Sequence, residues 1–297
     1  MAEHRARACI GLWQETLKGW TGEMLNAAII GLGRWGQVLV NSVQGRSDRI
    51  RFVAGATGRP ERAAAFAARQ GIDVLPDLAA ILARADIEAV VLATPHSQHA
   101  AQIAQVAAAK KPILCEKPLT LTLDEARGAW EAVEQAGVLL ATAHNRRFLP
   151  AYRRMREMVE TGHLGVVRQV IGNFSFAQMA YPAGSWRNSA VESPAGGMAG
   201  LGIHIVDGMM GLGLRAKGVR VLSRGDDPMR PHTVTASIEF DGGAIGTLTT
   251  LGGPGSIWRI EVHGSEGFAA MDGETRLVHA RAGEPLSVID FGGVDKE

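Results

Sequence analysis

Three groups of residues have the types and spacing to do chemistry. Gly31, Gly33 and Gly36 stand in "AAIIGLGRWGQVLV" as G-x-G-x-x-G. In that pattern the first glycine permits a tight turn. The second lets the backbone approach a pyrophosphate, and the third lets helix and strand pack closely. The amides that open the following helix would face the anion, so Leu32, Arg34 and Trp35 join the candidate cofactor residues. Lys117, in "CEKP" beside Glu116, is a cation that could stabilise charge developing on an oxygen. His204 closes "AGGMAGLGIH", in which four of ten residues are glycine. An imidazole with an ordinary pKa of roughly 6.5 can accept or give a proton near neutrality.

The elements that must position these groups fall into two kinds. From 24 to 145, short apolar strands alternate with alanine-rich helices. "LNAAII", "IRFVAGA", "AVVLAT", "PILCE" and "GVLLATA" are strands; "GQVLVNSVQ", "PERAAAFAARQG", "HAAQIAQVAAAK" and "TLDEARGAWEAVEQAG" are helices. Pro60 opens one helix and a glycine follows its end; Thr122 and Glu125 form a capping box on another. Strands apolar throughout predict a doubly wound parallel sheet covered on both faces, an α/β Rossmann domain. After 146 the pattern changes. A helix, "AYRRMREMVETG", precedes longer alternating strands, with "DGG" at 241–243 as a hairpin turn. This predicts an α+β domain over 146–297 with an open, mainly antiparallel sheet, for substrate binding and oligomerisation.

Strand ends locate the ligand residues, because ligands in such sheets lie outside the carboxyl ends of the strands. Thr94, Pro95, His96 and His99 follow one strand, and Glu116 and Lys117 follow another. All are candidate cofactor residues, with His99 also placed to pack against or cap the next helix. After the second strand no acid stands ready for ribose hydroxyls. Thr57, Gly58 and Arg59 occupy that place, and threonine with arginine can bind a 2′-phosphate that a carboxylate would repel. NADP is favoured over NAD.

Bulk properties narrow the class. The chain has 297 residues, 46% hydrophobic and 21% charged, with 31 basic against 30 acidic side chains. This balance gives no support for a nucleic-acid partner. Two cysteines, Cys9 and Cys115, fit a reducing, cytoplasmic setting. No run approaches the ~20 apolar residues needed to cross a bilayer. No spacing resembles a metal site. Residues 1–23 are not a secretion signal; they read as a disordered extension or as a docking helix carrying Trp13, Leu17 and Trp20.

"GLGRWG", "ATPHSQH", "CEKPLT", "HNRRFLPAYRRM", "SWR" and "GGMAGLGIHIVD" together resemble the glucose–fructose oxidoreductase / inositol dehydrogenase / rhizopine-catabolism (Gfo/Idh/MocA) family in order and spacing. The resemblance covers roughly 24–290. It implies NAD(P)-dependent hydride transfer at a secondary alcohol of a sugar, cyclitol or related ring, in a homo-oligomer formed through the C-terminal sheet. It implies that Lys117 and His204 are catalytic, and that Asn145, Trp186, Arg187 and His204 contact substrate. A glycoside-cleaving enzyme of the same fold and a non-catalytic NAD(P)-binding regulator are the alternatives.

Two departures accompany the resemblance. The family commonly has Asp-x-x-x-His, and Gly200 stands at the aspartate's place. On a helix, positions 200 and 204 share a face, so that aspartate would favour charged His204. Either Asp207 or the substrate takes over part of this role, or Asp207 only caps and packs. The chain also stops at Glu297, where family members continue through a strand and a helix; this suggests a truncated or short member.

Overall fold

The computed structural model describes residues 24–176, 185–227, 229–253 and 255–292. The expected extension with Trp13, Leu17 and Trp20 lies outside the described residues, as does part of the loop ahead of Trp186. The chain divides between Ala143 and His144 into two compact units.

The first unit is a parallel sheet of six strands: β1 (Leu25–Ile30), β2 (Ile50–Ala56), β3 (Asp73–Leu75), β4 (Ala89–Leu92), β5 (Ile113–Cys115) and β6 (Leu140–Thr142). Their spatial order is β3-β2-β1-β4-β5-β6. Five helices connect them: α1 (Arg34–Val43), α2 (Pro60–Gln70), α3 (Leu78–Leu82), α4 (His99–Ala108) and α5 (Leu123–Ala136). The apolar runs are explained by two cores. Ala27 and Ile29 of β1 meet Val40 and Phe66 on one face, while Ala28 and Ile30 meet Ile103 and Val133 on the other. A strand buried on both sides has no polar face to show.

Local signals set the helix ends. Thr122 Oγ1 accepts from the Glu125 amide at 3.2 Å, and Glu125 Oε2 accepts from the Thr122 amide at 3.1 Å. Gly71 and Gly137 end α2 and α5 in the left-handed conformation. The strand order reverses between β1 and β4, the switch point at which ligands bind.

The second unit holds α6 (Pro150–Glu160), α7 (Ile203–Gly211) and eight strands: β7 (Val167–Ser175), β8 (Ala216–Arg224), β9 (Thr233–Phe240), β10 (Ile245–Leu251), β11 (Ile257–Gly264), β12 (Gly267–Asp272), β13 (Arg276–Arg281) and β14 (Ser287–Asp290). Their order is β14-β13-β12-β11-β7-β10-β9-β8. All neighbours are antiparallel except β7 and β10. Tyr152, Met155 and Met158 of α6 and Ile205 and Met209 of α7 pack on Val170, Ile238, Leu248, Ile260 and Val262. Alternate positions carry polar groups on the other face, where Thr235 and Thr249 bring their hydroxyls to 3.2 Å and Arg259 pairs with Glu261 at 2.6 Å.

Candidate active site

In the first unit the glycine turn joins β1 to α1. The Gly31 amide donates to the Ala56 carbonyl at 2.8 Å, with Gly31 at φ 103°. A Cβ on Gly31 would overlap the Ala93 carbonyl, and one on Gly36 would overlap the Gly31 carbonyl oxygen. Gly33 is different: a Cβ there meets nothing, so the backbone is open to an incoming group. The first intrahelical bond of α1 runs from the Gln37 amide to the Gly33 carbonyl at 2.9 Å. No side chain caps the end and no acid sits in the first turn. Arg34, Trp35 and Gly36 therefore present amides that helix geometry leaves without partners, a fit for a pyrophosphate. The Leu32 side chain is buried in the core, so its candidate role is a backbone one.

Beyond β2, Thr57, Gly58 and Arg59 form the turn into α2; the Arg59 amide reaches Thr57 Oγ1 at 3.5 Å. Arg59 is exposed, and no ion pair engages it among the described residues.

The loops after β4 and β5 are tied together. Glu116 is only 8% exposed, and both its oxygens are engaged. Oε1 accepts from Trp35 Nε1 at 2.6 Å, and Oε2 accepts from the Lys117 amide at 3.1 Å. Burial pushes the Glu116 carboxyl above its ordinary range, opposed by the indole bond, Lys117 and His99. His99 is fully buried. It ties the loops together, with Nδ1 at 2.9 Å from the Pro118 carbonyl and Nε2 at 3.2 Å from the Thr94 carbonyl. Thr94 itself is buried, its hydroxyl donating to Gln102 at 2.6 Å, while Pro95, His96 and Lys117 keep partial exposure.

In the second unit α7 carries His204, which is 8% exposed. Ile205 and Met209 seat the helix on the sheet. Tyr152 Oη donates to the Gly208 carbonyl at 2.7 Å, and burial pushes this phenol up to about 12. Arg147 grips Asp207 through Nε at 2.8 Å and Nη2 at 2.7 Å. That pair raises the arginine above its ordinary value. Asp207 also lies 3.7 Å from His144 Nδ1.

The surroundings of His204 are aromatic. The Phe174 ring centre lies 6.0 Å away, and the His144 ring stands edge-on at 6.5 Å. Arg146 stacks over Phe174 at 5.0 Å and Trp258 at 4.6 Å, and bonds Glu274 at 2.8 Å. Phe174 and Trp258 had no sequence signal, because each lies far along the chain from His204; Arg146 and Arg147 stand in the motif "HNRRFLPAYRRM", which did not reveal their partners.

Gly200 is not on a regular helical face with His204. Met198–Gly202 form a π-helical turn, closed by the Ile203 amide on the Met198 carbonyl, and α7 starts only at Ile203. Such wide turns recur at functional sites. A Cβ at Gly200 would meet nothing within 4 Å. Asn145 is exposed and begins a 3-10 turn, Asn145–Phe148. Trp186 and Arg187 share another, with the guanidinium 4.2 Å from the indole centre. Among the described residues no group of three or more His, Cys, Asp or Glu is arranged to hold a metal ion. No helix there is long and apolar enough to cross a membrane.

Residues 25–144 match the oxidoreductase family with an NAD-binding Rossmann fold (Gfo/Idh/MocA), and residues 152–270 match the Gfo/Idh/MocA C-terminal domain. The rhizopine catabolism protein MocA of Rhizobium meliloti is 30% identical over 272 residues, 85% of this chain and 81% of that protein. The chain belongs to the Gfo/Idh/MocA oxidoreductase family. An inositol 2-dehydrogenase from Rhizobium meliloti (strain 1021) is 38% identical over 142 residues, 48% of this chain but only 42% of that relative's length. An inositol dehydrogenase homolog from Azotobacter vinelandii, solved with NAD+, shares the fold with a TM-score of 0.82 at 23% identity, over 92% of this chain and 77% of its own.

Proposed function

We propose that the chain is an oxidoreductase that moves a hydride between NAD(P) and a secondary alcohol or ketone on a sugar, cyclitol or related ring. The observation that carries this reading is the glycine turn at the switch point. It offers uncapped amides of α1 to a pyrophosphate, while its indole is bonded to the residue preceding Lys117. Two relatives support the substrate class, since they are named for inositol oxidation and rhizopine catabolism.

When bound, the nicotinamide supplies the carbon that takes or gives the hydride. The residues of the chain handle the proton and the charge. His204 is assigned to take the hydroxyl proton during oxidation and return it during reduction. Lys117 is assigned to offset negative charge on a substrate oxygen. Asn145, Trp186 and Arg187 are assigned to hold the ring's other hydroxyls. Arg59 and Thr57 are assigned to a 2′-phosphate, which makes NADP the favoured cofactor. A cytoplasmic homo-oligomer joined through the open sheet face completes the reading.

The test is a screen of purified protein against sugars and cyclitols, with NAD and NADP, followed at the absorbance of reduced nicotinamide. Turnover with at least one polyol is expected, together with its loss in His204→Ala. Tight cofactor binding with no turnover on any polyol would overturn the reading in favour of a regulator. Arg59→Ala should raise the Kd for NADPH at least tenfold and leave NADH unchanged, as losing a hydrogen bond to a charged group implies.

A further inference from the structure

We propose that Glu116 is a positioning residue that couples the dinucleotide seat on α1 to the placement of Lys117. Each carboxylate oxygen serves one side of this link. Oε1 takes the indole N–H of Trp35, and Oε2 takes the amide of Lys117. Trp35 is the second residue of α1, between Gly33 and Gly36, on the turn whose amides face the pyrophosphate. The backbone on either side of Lys117 is held by two further bonds. The Glu116 amide donates to the Leu92 carbonyl at 2.9 Å, and the Pro118 carbonyl meets His99 Nδ1 at 2.9 Å. The adjustable part of this assembly is the carboxylate itself. It is desolvated, so its two bonds meet little competition from water and are strong.

A displacement of the first turn of α1 is therefore passed through the indole to Glu116, and from Glu116 to the Lys117 peptide. Linkage makes the effect reciprocal: whatever holds Lys117 also tightens the cofactor seat. A purely structural hydrogen bond would stabilise the fold without this correlation. The coupling rests on the cofactor-binding part of the proposed function and not on turnover.

The experiment uses ADP-ribose and its 2′-phosphate, which carry the pyrophosphate but no nicotinamide to shield the lysine directly. Binding is measured by calorimetry. The acylation rate of Lys117 is read by peptide mass spectrometry with and without ligand, in wild type, Trp35→Phe and Glu116→Gln. Glutamine can still accept from the indole, but its amide nitrogen cannot accept from Lys117 N–H. A rate change of about fivefold on ligand binding is expected in wild type, at the low end of ordinary coupling. Neither variant should show the change, although both still bind ligand. An equal response in the variants, or none in wild type at saturation, would overturn the coupling. Failure of both ligands to bind would overturn the cofactor reading and the coupling with it. If binding and coupling hold without turnover on any polyol, only the oxidoreductase reading fails.

Discussion

Replacing Arg147 by alanine should loosen α7 and the histidine it carries. The guanidinium grips Asp207 with two bonds of 2.8 and 2.7 Å. The carboxylate is 10% exposed and the arginine 37%. Breaking a fully buried pair costs roughly 3–5 kcal/mol, while an exposed pair is worth at most about 1 kcal/mol. This pair lies between those limits, and the arginine's exposure argues for a discount, so about 2 kcal/mol is expected. Asp207 would then keep the His144 ring at 3.7 Å as a neighbour. For a chain of this size the cost corresponds to a Tm lower by roughly 4–8 °C.

The assay is a double-mutant cycle of Arg147→Ala and Asp207→Ala, read by urea unfolding followed through circular dichroism. Removing the aspartate as well removes the stranded charge, so the double variant should be less destabilised than the two singles together. The coupling should exceed about 1 kcal/mol. Additivity within about 0.5 kcal/mol, the usual result for independent sites, would refute the reasoning.

Thr122→Ala removes one half of the capping box and should cost about 1 kcal/mol, measured as a lower urea midpoint for the first unit. Gly33→Ala should leave Tm unchanged yet abolish NAD(P)H binding by fluorescence titration, because its Cβ meets open space where the pyrophosphate approaches. Gly36→Ala should instead destabilise by roughly 1–3 kcal/mol, because its Cβ overlaps the Gly31 carbonyl. Glu116 gives a pH dependence. The native state holds its proton more tightly than the unfolded chain, where the pKa is roughly 4.3. Its stabilising share is complete below that value and falls as pH rises through the raised native value. The Tm of Glu116→Gln should thus gain on wild type as pH rises above the unfolded-chain value; parallel Tm curves would contradict this.

Elements with local signals were legible in the sequence. Pro60 with Gly71, and Thr122 with Glu125 and Gly137, mark their helices because caps act within one turn. β1 is visible because burial on both faces of residues 27–30 demands an apolar run there. β3 has only three residues and α3 five, too few for a period to show. β8 escapes for another reason: nearly every position is exposed, so no alternation separates its faces. The π turn before α7 has no signature apart from glycines. In the candidate site, the glycine motif and Lys117 are readable because strand ends locate them. Their supports are not, since Trp35 meets Glu116 and Arg147 meets Asp207 only once the chain has folded.

The position of β7 has a consequence for synthesis. It is the first strand of its sheet to leave the ribosome, yet it lies in the middle, between β10 and β11. Neither partner exists until β8 and β9 have been made. Both edges of the nascent segment "VRQVIGNFS" must therefore wait unpaired, a template for any passing strand. The second unit should fold slowly and late, since its central pairings are non-local. Chaperone dependence of the full chain should concentrate in this interval of translation, before β11 covers the second edge of β7.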